Sequence, residues 1–373
     1  MKSHMIAAAA LTCAARLSAQ DATIVYRLGR DTVAVEQFTR SATKFSGETV
    51  IRSGPAVTRT QYDITLAGGK PTAMVIRRRQ ADGSPIPNNP LEYRFAFRPD
   101  SVRRDVVWKD STQTMGFAAA NAFVVLPVYS YAPFELIYAR GAGRDSVPAV
   151  NLGGNAVSAI GLQKVGGDTL RMRGGTYQML IRFDRDGRLQ WTDGVLTTNK
   201  AIGTRVAASV DIAKLASSMK PTGVLSPRAT AYAGFNRGPI FISYGRPAVR
   251  ERSVWGGTLI PFDSVWRTGA NEATHLATSK TMLLGDMMLA PGLYTLWTQH
   301  THSGTYLIVN KQVGQWGTEY TAAQDIGRAK MEMAKTPEHV EDFTITIRAA
   351  GANRGFIDLA WGDSVATAAF TVR

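Results

Sequence analysis

The sequence predicts a mainly all-β chain: an N-terminal antiparallel, curved sheet with one short helix, followed by a C-terminal β-sandwich. Short runs of β-branched and aromatic residues, separated by Gly, Asp and Asn turns, recur along the chain, while few windows carry the 3.6-residue period of a helix. A stretch rich in Ser, Pro and Gly at residues 216–227 divides two patterned regions, and 373 residues suit two domains. No repeat of 20 to 50 residues is visible, which argues against a propeller or solenoid. With 45% hydrophobic residues, each half has enough apolar material for a core, and disordered or collagen-like classes are excluded.

The first 19 residues read as a secretory signal. Lys2 is the basic start, residues 5–15 are uncharged and mostly small or apolar, and Leu17-Ser18-Ala19 is a small-residue cleavage site. The apolar run is too short to span a bilayer, which needs about 20 residues. Ala10-Leu11-Thr12 before Cys13 departs from a lipobox, so a cleaved leader is expected rather than a lipid anchor. Cleavage near Ala19 removes the only cysteine and predicts a periplasmic or secreted protein. The resulting division is 1–19 leader, 20–222 first domain and 223–373 second domain.

In the first domain, residues 60–66, 72–78, 92–98, 169–173 and 178–183 read as strands, with hairpin-type turns at Asp82-Gly83 and Asp186-Gly187. A short helix is expected near residues 134–139. No charge occurs between Asp110 and Glu135, but Pro127 and Pro133 interrupt that stretch, which predicts a buried core segment and no transmembrane segment. In the second domain, residues 239–244, 274–279, 294–299, 305–310, 343–348 and 356–361 are strand candidates. Residues 327–333 alternate Arg328, Lys330 and Glu332 with Ala329, Met331 and Met333, favouring a strand over a helix.

Charge falls unevenly across the boundary: residues 21–225 carry 27 basic and 17 acidic side chains, residues 226–373 only 14 and 12. The first domain is therefore the basic one. The leader makes nucleic acid an unexpected partner, so Arg77-Arg78-Arg79 and Arg103-Arg104 suit an anionic envelope surface or simple solvation. Tryptophan is distributed the other way, with five of seven residues after the boundary.

Five motifs of the second domain stand out: Ser226-Pro227-Arg228, Tyr244-Gly245-Arg246-Pro247, Trp255-Gly256-Gly257, the run from Trp266-Arg267-Thr268-Gly269-Ala270-Asn271-Glu272 to Ala273-Thr274, and Pro291-Gly292-Leu293-Tyr294. In this order they resemble an uncharacterised bacterial family, domain of unknown function 2911, found in secreted or periplasmic proteins. The resemblance implies a β-rich extracytoplasmic domain and brings no activity, cofactor or catalytic residue with it. The first domain resembles no family.

The segment 266–274 is the leading site candidate. Arg267, Asn271 and Glu272 offer a planar donor, an amide and a carboxylate, while Arg246 adds a second guanidinium and Trp266 and Trp297 aromatic surface. The same groups can instead bond one another to fix a long loop. His300 and His302 share a strand face and, with His275 and Glu272, form a weak metal-ligand candidate. Otherwise no cofactor is expected. Ser41-Ala42-Thr43-Lys44 and Ser217-Ser218-Met219-Lys220 match a Ser-x-x-Lys pattern without its accompanying signatures.

Three functions are compatible with these residues. The first is a noncatalytic binding or envelope-associated protein for a polar or anionic ligand. The second is a hydrolase of an envelope polymer or sugar, with Glu272 and Asp286 or Asp263 as acid and base. The third is a carrier of lipid-like ligands through an apolar concave face near residues 117–134.

Overall fold

The computed structural model describes residues 20–141, 145–174, 177–194, 197–235 and 238–373. Residues 1–19, expected as a leader and including Cys13 and Ala19, lie outside them. Both domains are built from strands, and the only α-helices among the described residues are Glu135–Gly141 and Ile212–Ser218.

The first domain is one sheet of fifteen strands. From Gln20–Leu28 to Thr112–Ala118 each strand pairs antiparallel with the next. A second meander leads from Ser146–Asn151 to Ile202–Val206, which returns to pair with Gln20–Leu28 at the centre of the sheet. The two edges are thus Thr112–Ala118 and Phe123–Val125, consecutive strands joined by four residues. A flat sheet of this width would be about 67 Å across, whereas that connection reaches only about 18 Å. The sheet must therefore roll until its edges approach. Arg104 closes the gap, its Nη1 donating to the carbonyls of Asn151, Leu152 and Gly154 at 3.1, 3.0 and 2.6 Å.

The interior of this roll is filled by the uncharged stretch. Ala122, Phe123, Val124, Tyr129, Tyr131 and Phe134 are buried against Tyr26, Phe38, Phe45 and Tyr62 of the wall. Glu36 ties the filling to the wall. Its buried carboxylate accepts Tyr26 and Tyr62 hydroxyls at 2.6 and 2.8 Å and the N–H groups of Tyr131 and Ala132 at 3.1 Å.

The second domain orders its strands as Arg228–Phe235, Gly238–Gly245, Thr274–Thr278, Gly292–Thr301, Gly304–Asn310, Asp325–Ala349, Arg354–Val372, Met282–Leu284 and Met287–Leu289. The sandwich is one ladder folded over itself. Asp325–Ala349 pairs through its first residues with Gly304–Asn310 and through the remainder with Arg354–Val372, bending at register shifts between Lys335 and Thr344. Tyr244 crosses between the layers, its hydroxyl accepting the Ile345 N–H at 3.0 Å. Trp266, Phe343 and Trp361 pack together in the core.

The connection is anchored rather than loose. The helix Ile212–Ser218 packs Ile212 and Ala216 on Val35, Val50 and Val57, and Thr222 N–H bonds the Arg52 carbonyl at 2.9 Å. Further contacts cross between the domains: Arg250 pairs with Asp31, Arg30 with Glu251 at 2.9 Å, the Arg30 N–H donates to the Arg250 carbonyl at 3.4 Å, Gly54 bridges to Gly223, and Trp316 Nε1 donates to Thr198 Oγ1 at 3.0 Å. Gly29 makes the first approach possible, since a Cβ there would collide with the Arg250 carbonyl.

Candidate anion site between the domains

Three loops meet where the domains face each other. The first leaves the short strand Val265–Trp266, which is paired to Gln299 and Thr298. Thr268 has φ 49° and Asn271 φ 64°, conformations that side chains with a Cβ rarely adopt. Bonds made inside the domain hold them: the Thr268 and Thr298 hydroxyls meet at 2.7 Å, Thr274 Oγ1 donates to the Thr268 carbonyl at 2.7 Å, and the Asn271 carbonyl accepts the Gly317 N–H at 2.9 Å. Arg267 is thereby directed into the interface across Gly317, where a Cβ would collide with Arg267 Cδ.

Arg267 is 7% exposed, and its Nε finds no acceptor among the described residues. Burial alone pulls the guanidinium down to about 10. Arg252, from the loop that follows Pro247, donates to the carbonyls of Val249 and Ala248 at 3.0 and 2.8 Å. Burial and, next, the charge of Arg250 hold it at about 10.

The third loop belongs to the first domain. Thr197 Oγ1 donates to the Gly194 carbonyl at 2.6 Å and accepts the N–H groups of Asn199 and Lys200 at 3.2 and 3.3 Å. That turn sets Lys200 at φ 48°. Burial, followed by the nearby charges of Arg267 and Arg252, pushes its amine down to about 7, with Asp193 opposing.

A cavity of about 270 Å³ lies among these loops. Lys200, Arg250, Arg252 and Arg267 line it together with Trp266, Trp361, Asn199 and Asn271, and none of the described residues that line it is Asp or Glu. Arg250 has Asp31 as its counter-charge. Five of the nine described non-glycine residues with positive φ are Lys200, Arg250, Glu251, Thr268 and Asn271, all in these three loops. Strained backbone concentrated in one place is a mark of functional sites. A second cavity, about 260 Å³, adjoins Arg267, Lys200 and Trp297. A third, about 300 Å³, lies inside the first domain against Leu126, Tyr131, Phe134, Ile160, Met172 and Met179.

Of the residues singled out in the sequence, Trp266, Arg267 and Asn271 come together at the interdomain cavity. Arg246 does not line it; its guanidinium bonds the Phe343 carbonyl and Thr344 Oγ1, both at 3.3 Å. Glu272 points outward to Arg228 at 3.4 Å. Trp297 is buried beside Tyr320, Ala273 and Ile308, with Nε1 donating to Thr295. Asp263 and Asp286 occupy exposed turns, so Glu272, Asp263 and Asp286 share no wall of the interdomain cavity.

His300 lies on the strand Gly292–Thr301 and His302 in the turn beyond it, so they do not share a strand face, and Phe262 is stacked against both rings, at 5.0 and 4.1 Å. His275 Nε2 accepts the Gly314 N–H at 3.0 Å. Among the described residues no group of three or more His, Cys, Asp or Glu side chains is arranged to hold a metal. Both Ser-x-x-Lys segments have local roles: Ser41 caps a turn with Lys44, whose Nζ pairs with Asp63 at 2.8 Å, and Ser217 bonds the Lys214 carbonyl. Arg77 is paired with Glu92 and Asp63, and Arg103 with Asp105. No helix among the described residues is long and apolar enough to cross a membrane.

Lys200, Arg250 and Arg252 were not marked in the sequence. Arg250-Glu251-Arg252 follows Tyr244-Gly245-Arg246-Pro247 closely enough to have been noticed. Lys200 offers no local signal, because its role arises only when the two domains meet.

Residues 226–370 match the model of a family described as "Protein of unknown function (DUF2911)". No curated protein matches the chain. Among solved structures, a beta-barrel-like protein of domain of unknown function DUF1849 from Brucella abortus is 13% identical, with a TM-score of 0.33, covering 52% of this chain and 97% of its own. A structure described as showing that cell entry of botulinum neurotoxin type C depends on interaction with two ganglioside molecules is 9% identical, with a TM-score of 0.12, covering 95% of this chain and 89% of its own.

Proposed function

We propose that this is an exported, noncatalytic binding protein that captures an anionic group between its two domains. The observation that carries the reading is Arg267: a guanidinium sealed between two domains, with no acceptor among the described residues for its Nε and with Lys200 and Arg252 beside it. Burying a cation without a counter-charge costs several kcal/mol. A bound carboxylate or phosphate would supply that charge, and a guanidinium fork suits both. Export rests on the leader, and the corresponding observable is a mature chain that begins at Gln20.

Thermal unfolding in phosphate, compared with chloride at equal ionic strength, tests the binding reading. A ligand held only by the folded state raises stability by about 2.7 kcal/mol at a hundredfold excess over its Kd. Phosphate should raise the Tm of the native protein. Arg267→Met should remove that rise while making the ligand-free protein more stable, by about 1–4 kcal/mol, because it deletes an unpaired buried charge. If Arg267 only braced its loop, the variant would unfold more easily and still respond to phosphate.

A further inference from the structure

The cavity inside the first domain and the cationic cavity between the domains have one residue in common. Asn199 lines both, and its neighbour Lys200 lines the interdomain one. This cavity is walled by Val125, Leu126, Phe134, Ile160, Met172 and Met179, and it opens to solvent at a rim that carries Asn151, Ser158, Ala159 and Arg173, with Asn199 at the side shared with the cleft. An apolar space of about 300 Å³ is of the kind that holds a small apolar body. It sits beside Arg267, whose Nε finds no acceptor among the described residues, with Lys200 and Arg252 close by.

We infer that the two cavities form one site for a single-chain anionic amphiphile: the phosphate or carboxylate head among Lys200, Arg252 and Arg267, the hydrocarbon chain past Asn199 into the first domain. This rests on the anion reading of the cleft and adds the chemical class of its ligand. The head matches the charge that the cleft lacks. The chain matches a wall of aliphatic, aromatic and thioether groups with no acidic side chain among its described residues. A free inorganic anion would leave the apolar wall of this cavity in contact with water, and a neutral lipid would leave Arg267 Nε without a partner.

Calorimetric titration of the full-length protein with inorganic phosphate, octyl phosphate, octanoate and octanol, each below its aggregation concentration, tests the inference. Each methylene buried should tighten binding roughly three- to fourfold. Octyl phosphate is therefore expected to bind on the order of a hundredfold more tightly than inorganic phosphate if about four methylenes enter. Octanol should bind far more weakly than either charged octyl compound, and the tighter of octyl phosphate and octanoate names the head group. Ala159→Trp fills the inner cavity from an exposed position on its wall, so packing should survive. This variant should bind octyl phosphate no more tightly than inorganic phosphate. Equal affinity of the native protein for those two compounds would overturn the amphiphile while leaving the anion site standing, as would an undiminished chain effect in Ala159→Trp. Octanol binding as tightly as octyl phosphate would separate the two cavities and overturn it as well. Failure of both phosphate compounds to bind would remove the anion site itself.

Discussion

The Lys200 amine is held near 7 instead of its ordinary 10.5. At Lys200 burial is the largest cause, and Arg267 and Arg252 add to it. A bound anion reverses that balance and favours the charged amine, so protonation and binding are linked. Affinity for sulfate, whose charge is constant over this range, should be greatest below pH 7 and fall as pH rises above it; titrations at pH 6 and 8.5 measure this, and Lys200→Met should flatten the profile. An equal pH dependence in the variant would assign the effect to another group. Without ligand the sign is opposite: the unfolded lysine holds its proton up to about 10.4, so Lys200 favours the folded state increasingly between pH 7 and that value. The sequence pointed to Arg267 and Asn271 because a guanidinium and an amide beside glycine suggest a ligand loop. It could not separate Arg246 from Arg252, which differ in what the fold places near them: the Phe343 carbonyl and the Thr344 hydroxyl on Asp325–Ala349 for one, a cavity for the other.

The uncharged segment inside the first domain is held by one side chain on Asp31–Arg40. Glu36 has its carboxyl pushed up to about 7 by burial, against hydrogen bonds from Tyr26, Tyr62 and two backbone amides. Because the folded value lies above the unfolded one, the stability it contributes is complete below about pH 4.5 and is lost as pH rises through 7. Glu36→Gln keeps the shape and removes the titration. Its stability relative to the native protein should rise between pH 5 and pH 8 by at most about 3 kcal/mol, measured by urea unfolding. A constant difference would place the titration elsewhere. This strand shows why sequence reading stopped short. Residues 60–66 or 178–183 alternate as half-buried strands should, whereas Asp31–Arg40 buries four consecutive residues, one of them an acid. The hairpin of Met282–Leu284 and Met287–Leu289 is apolar without alternation and was equally invisible. Asp325–Ala349 was seen as two fragments, 327–333 and 343–348, because the residues between them are mostly exposed and break register.

Across the whole molecule, the two domains present like charge to each other. Lys200 comes from the first, Arg250, Arg252 and Arg267 from the second, and the contacts that hold them are modest. Arg30–Glu251 is exposed and contributes little, which leaves chiefly Asp31–Arg250, the hydrogen bond from the Arg30 N–H to the Arg250 carbonyl and that from Trp316 to Thr198. Neither half of this arrangement could be read from sequence, since the boundary at 216–227 says where the chain divides and nothing about what the parts show each other. An anion between the domains replaces repulsion with a shared partner, and so couples their stabilities. In low-salt chloride, scanning calorimetry should resolve a less stable and a more stable unfolding unit; phosphate should raise the weaker one and draw the two together. Asp31→Ala frees Arg250 from its only ion-pair partner among the described residues and weakens the contact. It should therefore widen the separation in chloride and enlarge the response to phosphate, because Arg250, deprived of Asp31, now faces the cavity as well. Phosphate that shifted one unit alone, unchanged in Asp31→Ala, would mean that the anion is held within a single domain.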